Sequence, residues 1–268
     1  MTGPDTRVRE FVSRIHELAI ADGTRAWLDA MFDIGSLEAS AAGGAWPDTT
    51  LIARAHCGCG ELSDGRLTGR WTAVGGARYA DWFVLPARHT ALCRVLVPRD
   101  CVAVGIEPRG AGLAEVAAFD VVVDPGHVLL GDGATASLLT ATGAAAAVLG
   151  STQGLWRRHV GQLRSHLAAY HGGTTADSDA AQVARAASDI DAAELQLLES
   201  ATAEASLEDT VWVCRQVVAR ARAAADRLLE HSRHALDADD PVTQRWCEVD
   251  VGARVAVRLF DDLSASLR

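Results

Sequence analysis

The spacing of hydrophobic positions changes twice along the chain and divides it into three segments. In residues 1–48, apolar side chains recur at helical spacing and predict two amphipathic helices, near 8–21 and 24–42. In residues 49–132, strand-length apolar runs alternate with Gly, Pro and Asp turns, which predicts a middle β-domain of barrel or sandwich type. In residues 133–268 the helical period returns. The chain is therefore predicted to be α+β and mostly helical.

The last segment is predicted to form a C-terminal four-helix bundle, because four long helical patterns follow one another with short breaks. Asp240 followed by Pro241 is typical of a helix N-cap and a first helical residue. The most apolar run, at 134–150, is shorter than the about 20 residues that cross a bilayer, so it predicts a buried helix rather than a membrane span. The four helices are expected near 134–171, 177–204, 207–232 and 240–266.

The densest strand signal lies at residues 66–85, which read RLTGRWTAVGGARYADWFVL. This stretch predicts two strands joined by a turn at Gly75 and Gly76, with Trp71 inside the first strand. A Gly–Gly pair suits a backbone with positive φ, or one that a ligand approaches closely. The stretch is therefore a candidate ligand-contacting segment.

Composition argues against several classes of function. The net charge is −10 and no block rich in basic residues offsets it, which argues against nucleic acid as a partner. The 25 basic residues include no lysine, so a lysine Schiff base is excluded. The first residues lack a secretory pattern, and we expect a cytoplasmic protein. His56, Cys57 and Cys59 have no second Cys/His pair at zinc spacing, so no metal site is predicted.

The order of helices, β-domain and bundle resembles the acyl-CoA dehydrogenase superfamily, with a shortened N-terminal helical domain. Within it the chain looks most like the oxygenases of two-component flavin monooxygenases, the hydroxyphenylacetate hydroxylase branch. Their pattern runs roughly G-R-W-x-F-A-S-G-x-x-x-A-D-W. The matching residues here are Gly69, Arg70, Trp71, Gly76, Ala80, Asp81 and Trp82.

The resemblance implies a flavin, FAD or FMN, as the cofactor. It places the flavin ring against Trp71, Thr72, Gly75 and Gly76, and the flavin phosphates near Arg157 and Arg158. It also implies a small-molecule or carrier-bound biosynthetic intermediate as substrate. A flavin reductase is a candidate partner, and a homo-oligomer is expected.

Two polar residues of the monooxygenase pattern are replaced in this chain. The serine near the flavin falls on Gly75 and the histidine of the last helix falls on Val255, so ordinary hydroxylation is not expected. Glu248 is a candidate base, as in the dehydrogenase branch, and His159 is a candidate pocket residue. For both, a place on a solvated helix face is the ordinary role.

Three functions stay open at this point. The first is a flavin-dependent oxidoreductase. The second is a redox-neutral catalyst of cyclisation, isomerisation or elimination that works on the same fold without flavin. The third is a non-catalytic subunit that partners a full-length relative. Because one fold hosts many reactions, the fold alone does not choose among them.

Overall fold

In a computed structural model, the structure describes residues 4–43, 46–105, 113–130, 133–169, 177–201, 205–230 and 237–265. Over these residues the protein is α+β and mostly helical, as the sequence pattern predicts. The short N-terminal helices and the four long C-terminal helices form at the predicted places. They are α1 (Pro4–Ala21), α2 (Gly23–Ala41), α3 (Ala134–Ala169), α4 (Asp177–Ser200), α5 (Leu207–Glu230) and α6 (Pro241–Ala265).

The strands of the described residues form one mixed sheet in the order β7-β8-β4-β3-β5-β6-β9, with β1 beside β5 and β2 beside β4. Strand β4 is central, because β8 pairs with one of its edges and β2 and β3 pair with the other. The strands are β1 (Ile52–Arg54), β2 (Cys57–Gly58), β3 (Gly60–Ser63), β4 (Arg66–Gly75), β5 (Trp82–Arg88), β6 (Leu92–Pro98), β7 (Ala103–Val104), β8 (Leu113–Val122) and β9 (Val128–Leu130).

The pairing differs from the pattern read in the sequence. Strands β4 and β5 form as predicted, but they are not neighbours, because β3 lies between them. The tight hairpin turn is instead Asp64–Gly65, where both residues have positive φ, and it joins β3 to β4. Asp–Gly between two apolar runs is a strong hairpin signal, and our prediction missed it because β3 is short.

The chain folds into two compact units. One contains residues 1–27 and 141–260, and the other contains residues 28–140 and 261–268. The first is referred to below as the helical unit and the second as the sheet unit. Each unit combines stretches that are far apart in sequence, whereas the predicted domains 1–48, 49–132 and 133–268 are continuous stretches.

The sheet unit has a hydrophobic core centred on Trp71, whose side chain is fully buried. The indole Nε1 donates a hydrogen bond of 2.9 Å to the carbonyl of Pro86 on β5, so the polar atom of this large side chain is satisfied inside the core. Asp81 fixes the start of β5, since its carboxylate accepts from the backbone N–H of Leu51 at 2.9 Å. Two residues that carry the family resemblance thus have structural roles in the sheet.

The helical unit is held by close helix contacts at small residues. A Cβ added to Gly150 on α3 would lie 2.3 Å from the carbonyl oxygen of His16 on α1, so only glycine permits this approach. Arg245 on α6 is buried and donates to the carbonyls of Ala19 and Ile20 at the end of α1. These bonds satisfy carbonyls that the end of a helix leaves without intrahelical partners.

Helix α3 is long and apolar enough to cross a membrane, and within the described part of the chain it alone meets that test. Of its most apolar window, 83% is buried inside the protein. This burial is the pattern of a core helix.

Asp240 caps α6, as its sequence position predicts. One carboxylate oxygen accepts from the backbone N–H groups of Val242 and Thr243 at 3.0 and 2.9 Å, and the other accepts from the Gln162 amide at 2.7 Å. Burial alone would raise the pKa of Asp240, but the hydrogen bonds from Thr243, Gln162 and Val242 outweigh it and hold the pKa below 3.8. The ionised form of Asp240 therefore stabilises the folded chain.

We predict that Asp240→Ala lowers the free energy of unfolding by about 1–2 kcal/mol at pH 7, because the cap is lost. The folded pKa lies below the unfolded one, so the stabilisation is present above pH 3.8 and disappears as the pH falls through the folded pKa. Urea unfolding of both proteins at pH 7 and near pH 3 measures this. The exposed neighbour Asp239→Ala is the control and should change little. An equal loss in both variants would contradict the capping role.

Candidate functional site

The candidate site in the sheet unit is built on a bulge in β4. Trp71 pairs with Val116 and Val74 pairs with Ala114, so Thr72 and Ala73 together face the single residue Glu115 on β8. Ala73 adopts φ 55°, a conformation that non-glycine residues seldom take. Bulges of this kind re-aim side chains and recur beside functional sites. The bulge lies inside the segment that the resemblance assigns to a flavin ring.

Gly76 ends this segment and is required there for two reasons. Its φ is +73°, and a Cβ on it would lie 2.7 Å from the ring atom Cζ of Phe32 on α2. The predicted role of the Gly–Gly pair in a positive-φ backbone is therefore confirmed at Gly76. The group that approaches it closely is the protein's own Phe32.

His56 lies directly before β2, whose Cys57 pairs with Thr72 of the bulge. Its Nδ1 lies 3.0 Å from Nη1 of Arg54. Since a guanidinium can only donate, Nδ1 must be the acceptor and the ring proton sits on Nε2. Burial, and then the charge of Arg54, hold the pKa of His56 well below 6.5, so the ring is neutral. His56 is therefore a hydrogen-bond donor at Nε2.

The Nε2 atom of His56 is buried, and no residue in the described ranges accepts a hydrogen bond from it. A buried donor without an acceptor costs about 1–3 kcal/mol of stability. Such a group calls for an explanation, and a ligand is one of the explanations that structures supply.

Arg54 is itself fixed by a buried ion cluster made of Glu38, Arg54 and Arg94. Oε2 of Glu38 lies 2.7 Å from Nε of Arg54, and Oε1 lies 3.0 Å from Nη1 of Arg94. Glu38 is 4% exposed and both arginines are nearly as buried. Arg54 also donates to the hydroxyls of Ser137 and Thr140 on α3, each at 3.3 Å. The cluster carries one positive charge in excess beside His56.

The predicted cofactor residues divide into two kinds. Trp71 is fully buried in the core of the sheet, with its Nε1 already bonded to Pro86. Thr72 is partly buried, whereas Gly75 and Gly76 are buried, and all three lie at or after the bulge. The backbone and the Thr72 side chain, rather than the Trp71 ring, are thus the parts of this segment that a ligand could meet.

The other predicted residues belong to the helical unit. Arg157 and Arg158 are exposed on α3, and His159 beside them is 2% exposed. Glu248 on α6 pairs with Arg245, the residue that also bonds the end of α1. A carboxylate engaged in this way has a structural role that the sequence analysis did not foresee. Val255 is partly buried on the same helix.

The sequence analysis considered His56 only as part of a weak metal-binding pattern. It did not identify Glu38, Arg54 or Arg94 as candidate site residues. Among the described residues, no group of three or more His, Cys, Asp or Glu side chains could hold a metal ion. The signal that could have pointed to the cluster is the charged Arg54 in an otherwise apolar strand.

Several solved structures have a fold similar to that of this protein. The protein is similar to a 3-HSA hydroxylase from a Rhodococcus species, with TM-score 0.77 and 21% identity, covering 93% of this chain and 80% of that one. It is similar to a dibenzothiophene monooxygenase from a Paenibacillus species, with TM-score 0.67 and 16% identity, covering 94% and 81%. It is also similar to butyryl-CoA dehydrogenase from Megasphaera elsdenii, with TM-score 0.71 and 14% identity, covering 96% and 81%.

No protein-family model and no curated protein sequence matches the chain. The structural similarity confirms the predicted resemblance at the level of fold: the protein has the fold of acyl-CoA dehydrogenases and of the related monooxygenases. The chain spans about four-fifths of the length of these structures.

We predict that Gly76→Ala destabilises the protein more than Gly65→Ala. Both glycines have positive φ, at 73° and 72°, but a Cβ on Gly65 would meet nothing within 4 Å. Gly65→Ala therefore measures the conformational cost alone, about 1–2 kcal/mol. Gly76→Ala adds the contact with Phe32, about 1 kcal/mol more. Urea unfolding of the two variants measures the difference, and Phe32→Leu should reduce it. Equal destabilisation would show that Phe32 does not constrain this segment.

Proposed function

We propose that the protein is a flavin-dependent oxidoreductase that binds the flavin ring against the Thr72–Gly76 segment. The observation that supports this most directly is the β4 bulge, an irregular backbone at the segment to which the family resemblance assigns the flavin ring. Close to this segment lies the buried Nε2 donor of His56, the residue directly before Cys57, which pairs with Thr72. A bound flavin would supply electron transfer to or from the substrate.

The residues of this chain would bind and orient the flavin rather than move protons. Gly75 and Val255 carry no side-chain hydrogen-bond donor, and Glu248 is engaged with Arg245. The sheet unit instead provides the Thr72–Gly76 segment and the neutral ring of His56. We therefore propose a flavin site whose selectivity comes from one fixed donor, the Nε2–H group of His56. A flavin reductase is the partner class that this proposal favours, and a small-molecule or carrier-bound intermediate is the substrate class.

A redox-neutral catalyst is the second candidate. The observation that favours it is the loss of both polar residues of the monooxygenase pattern, at Gly75 and Val255. Under this proposal the same segment binds a carbonyl-containing intermediate and no flavin. The two candidates differ in one measurable property, which is whether the purified protein binds FAD, FMN or reduced FMN.

We predict that the protein binds flavin, and that Arg157→Ala or Arg158→Ala weakens the binding about tenfold, since each removes a charge-assisted contact with a phosphate. Fluorescence and visible-absorbance titrations with FAD, FMN and reduced FMN measure the dissociation constants. Arg164→Ala is the matched control, because Arg164 is also an exposed arginine of α3.

Each outcome of the titrations decides between the proposals. Absence of binding by the unaltered protein in all three titrations would contradict the flavin proposal and favour the redox-neutral one. Binding that is equal in all three arginine variants would retain the flavin and remove the predicted phosphate contacts.

We also propose that the chain self-associates through the helical unit. Large apolar side chains are exposed there, among them Trp212 on α5 with 60% exposure and Leu195 on α4 with 63%. We predict a light-scattering mass that is a multiple of 28.2 kDa at micromolar concentration. Trp212→Glu should lower this mass, whereas the exposed control Arg220→Gln on the same helix should leave it unchanged. A mass near 28.2 kDa for the unaltered protein would contradict self-association.

A further inference from the structure

The Nε2–H group of His56 is a buried donor of the sheet unit, and no described residue accepts a hydrogen bond from it. We propose that this group donates a hydrogen bond to a carbonyl or ring-nitrogen acceptor of the flavin, and that Arg54 is the positioning residue that keeps it a donor. The inference rests on the proposed function and assigns a particular contact to it.

Geometry fixes which ring nitrogen carries the proton. Nη1 of Arg54 donates a hydrogen bond of 3.0 Å to Nδ1 of His56, so the ring proton must be on Nε2. Arg54 cannot turn away easily, because Glu38 holds its Nε at 2.7 Å and the hydroxyls of Ser137 and Thr140 hold its terminal nitrogens at 3.3 Å. The donor therefore exists before any ligand binds, and the ligand does not have to create it.

Chemistry selects the kind of partner. The excess positive charge of the buried ion cluster disfavours another cation beside His56 and favours an atom with negative charge density. Reduced flavin carries more electron density on its ring acceptors than oxidised flavin. A fixed donor backed by positive charge should therefore bind the reduced form more strongly than the oxidised form.

Location is the remaining requirement. His56 directly precedes Cys57, and Cys57 pairs with Thr72 at the bulge, so the histidine is one residue away from the strand that pairs with the proposed ring segment.

The first test observes the histidine directly in the flavin-free protein. With ¹⁵N-labelled histidine, the ring signals that disappear in His56→Gln should report a neutral ring protonated on Nε2. In Arg54→Lys, which keeps the charge but not the guanidinium geometry, this tautomer should no longer dominate. On addition of reduced FMN to the unaltered protein, the Nε2 proton signal should shift. A ring protonated on Nδ1, or a shift confined to other histidines, would overturn the inference.

The second test measures binding. His56→Leu removes the donor and should weaken the binding of reduced FMN about tenfold. The binding of oxidised FMN should change less, so the midpoint potential of the bound flavin should fall. His56→Gln retains a donor and should recover part of the loss. His89→Gln is the control. His89 bonds the carbonyl of Leu62 and lies at the turn between β5 and β6, away from the proposed ring segment.

The outcomes separate this inference from the proposed function. If the unaltered protein binds no flavin, the proposed function fails, and the inference fails with it. If the unaltered protein binds flavin and His56→Leu binds both redox forms as tightly as the unaltered protein does, only the inference fails. Weakening of both forms by the same factor in His56→Leu and His89→Gln would indicate a general loss of structure and would also overturn it.

Discussion

The sheet unit depends on the burial of one carboxylate between two guanidinium groups. Glu38 comes from α2, Arg54 from β1 and Arg94 from β6, so a single cluster ties a helix to two strands of the sheet. Removing one member of such a buried set typically costs about 3–5 kcal/mol, because the remaining charges are left without compensation. The cluster also requires glycine at position 133, since a Cβ there would lie 2.1 Å from Nη1 of Arg94. The cluster thus fixes how α2, the sheet and the start of α3 meet within this unit.

The ion cluster determines the chemistry of the candidate site, because Arg54 contacts His56. Burial, and then the charge of Arg54, lower the pKa of His56 and keep its imidazole neutral. Because Glu38 and the α3 hydroxyls hold Arg54 in place, the ring proton sits on the nitrogen that Arg54 does not touch. Thr72, which pairs with the next residue, Cys57, lies with Ala73 in a bulge that departs from the regular ladder. The resulting site offers one fixed donor, the Nε2–H group of His56, rather than an acid or a base. This arrangement suits the binding of an electron-rich ring, which is why a flavin is the ligand we propose.

The sequence predicts the helices well, but it predicts neither the order of the strands nor the buried ion cluster, for physical reasons. A helix satisfies its own backbone, so local period and an Asp240–Pro241 cap are enough to place α6. A strand needs a partner, and the pattern of β4 does not say that β3 rather than β5 lies beside it. Glu38, Arg54 and Arg94 are far apart in sequence, and no spacing rule connects them. Glu248 and Arg245 are three residues apart on α6, a spacing at which helix side chains pair, so the sequence could have predicted this ion pair. The bonds from Arg245 to the end of α1 depend on packing that the sequence does not reveal.

The central claim is that a flavin binds at the β4 bulge beside His56. Hydrogen–deuterium exchange with and without reduced FMN tests it most directly, because it reports where the backbone becomes protected. The account predicts slower exchange in peptides that cover residues 54–58 and 71–78, and unchanged exchange in the hairpin turn at 63–66. Unchanged exchange at 54–58 and 71–78 in the presence of saturating flavin, or protection confined to other peptides, would contradict it.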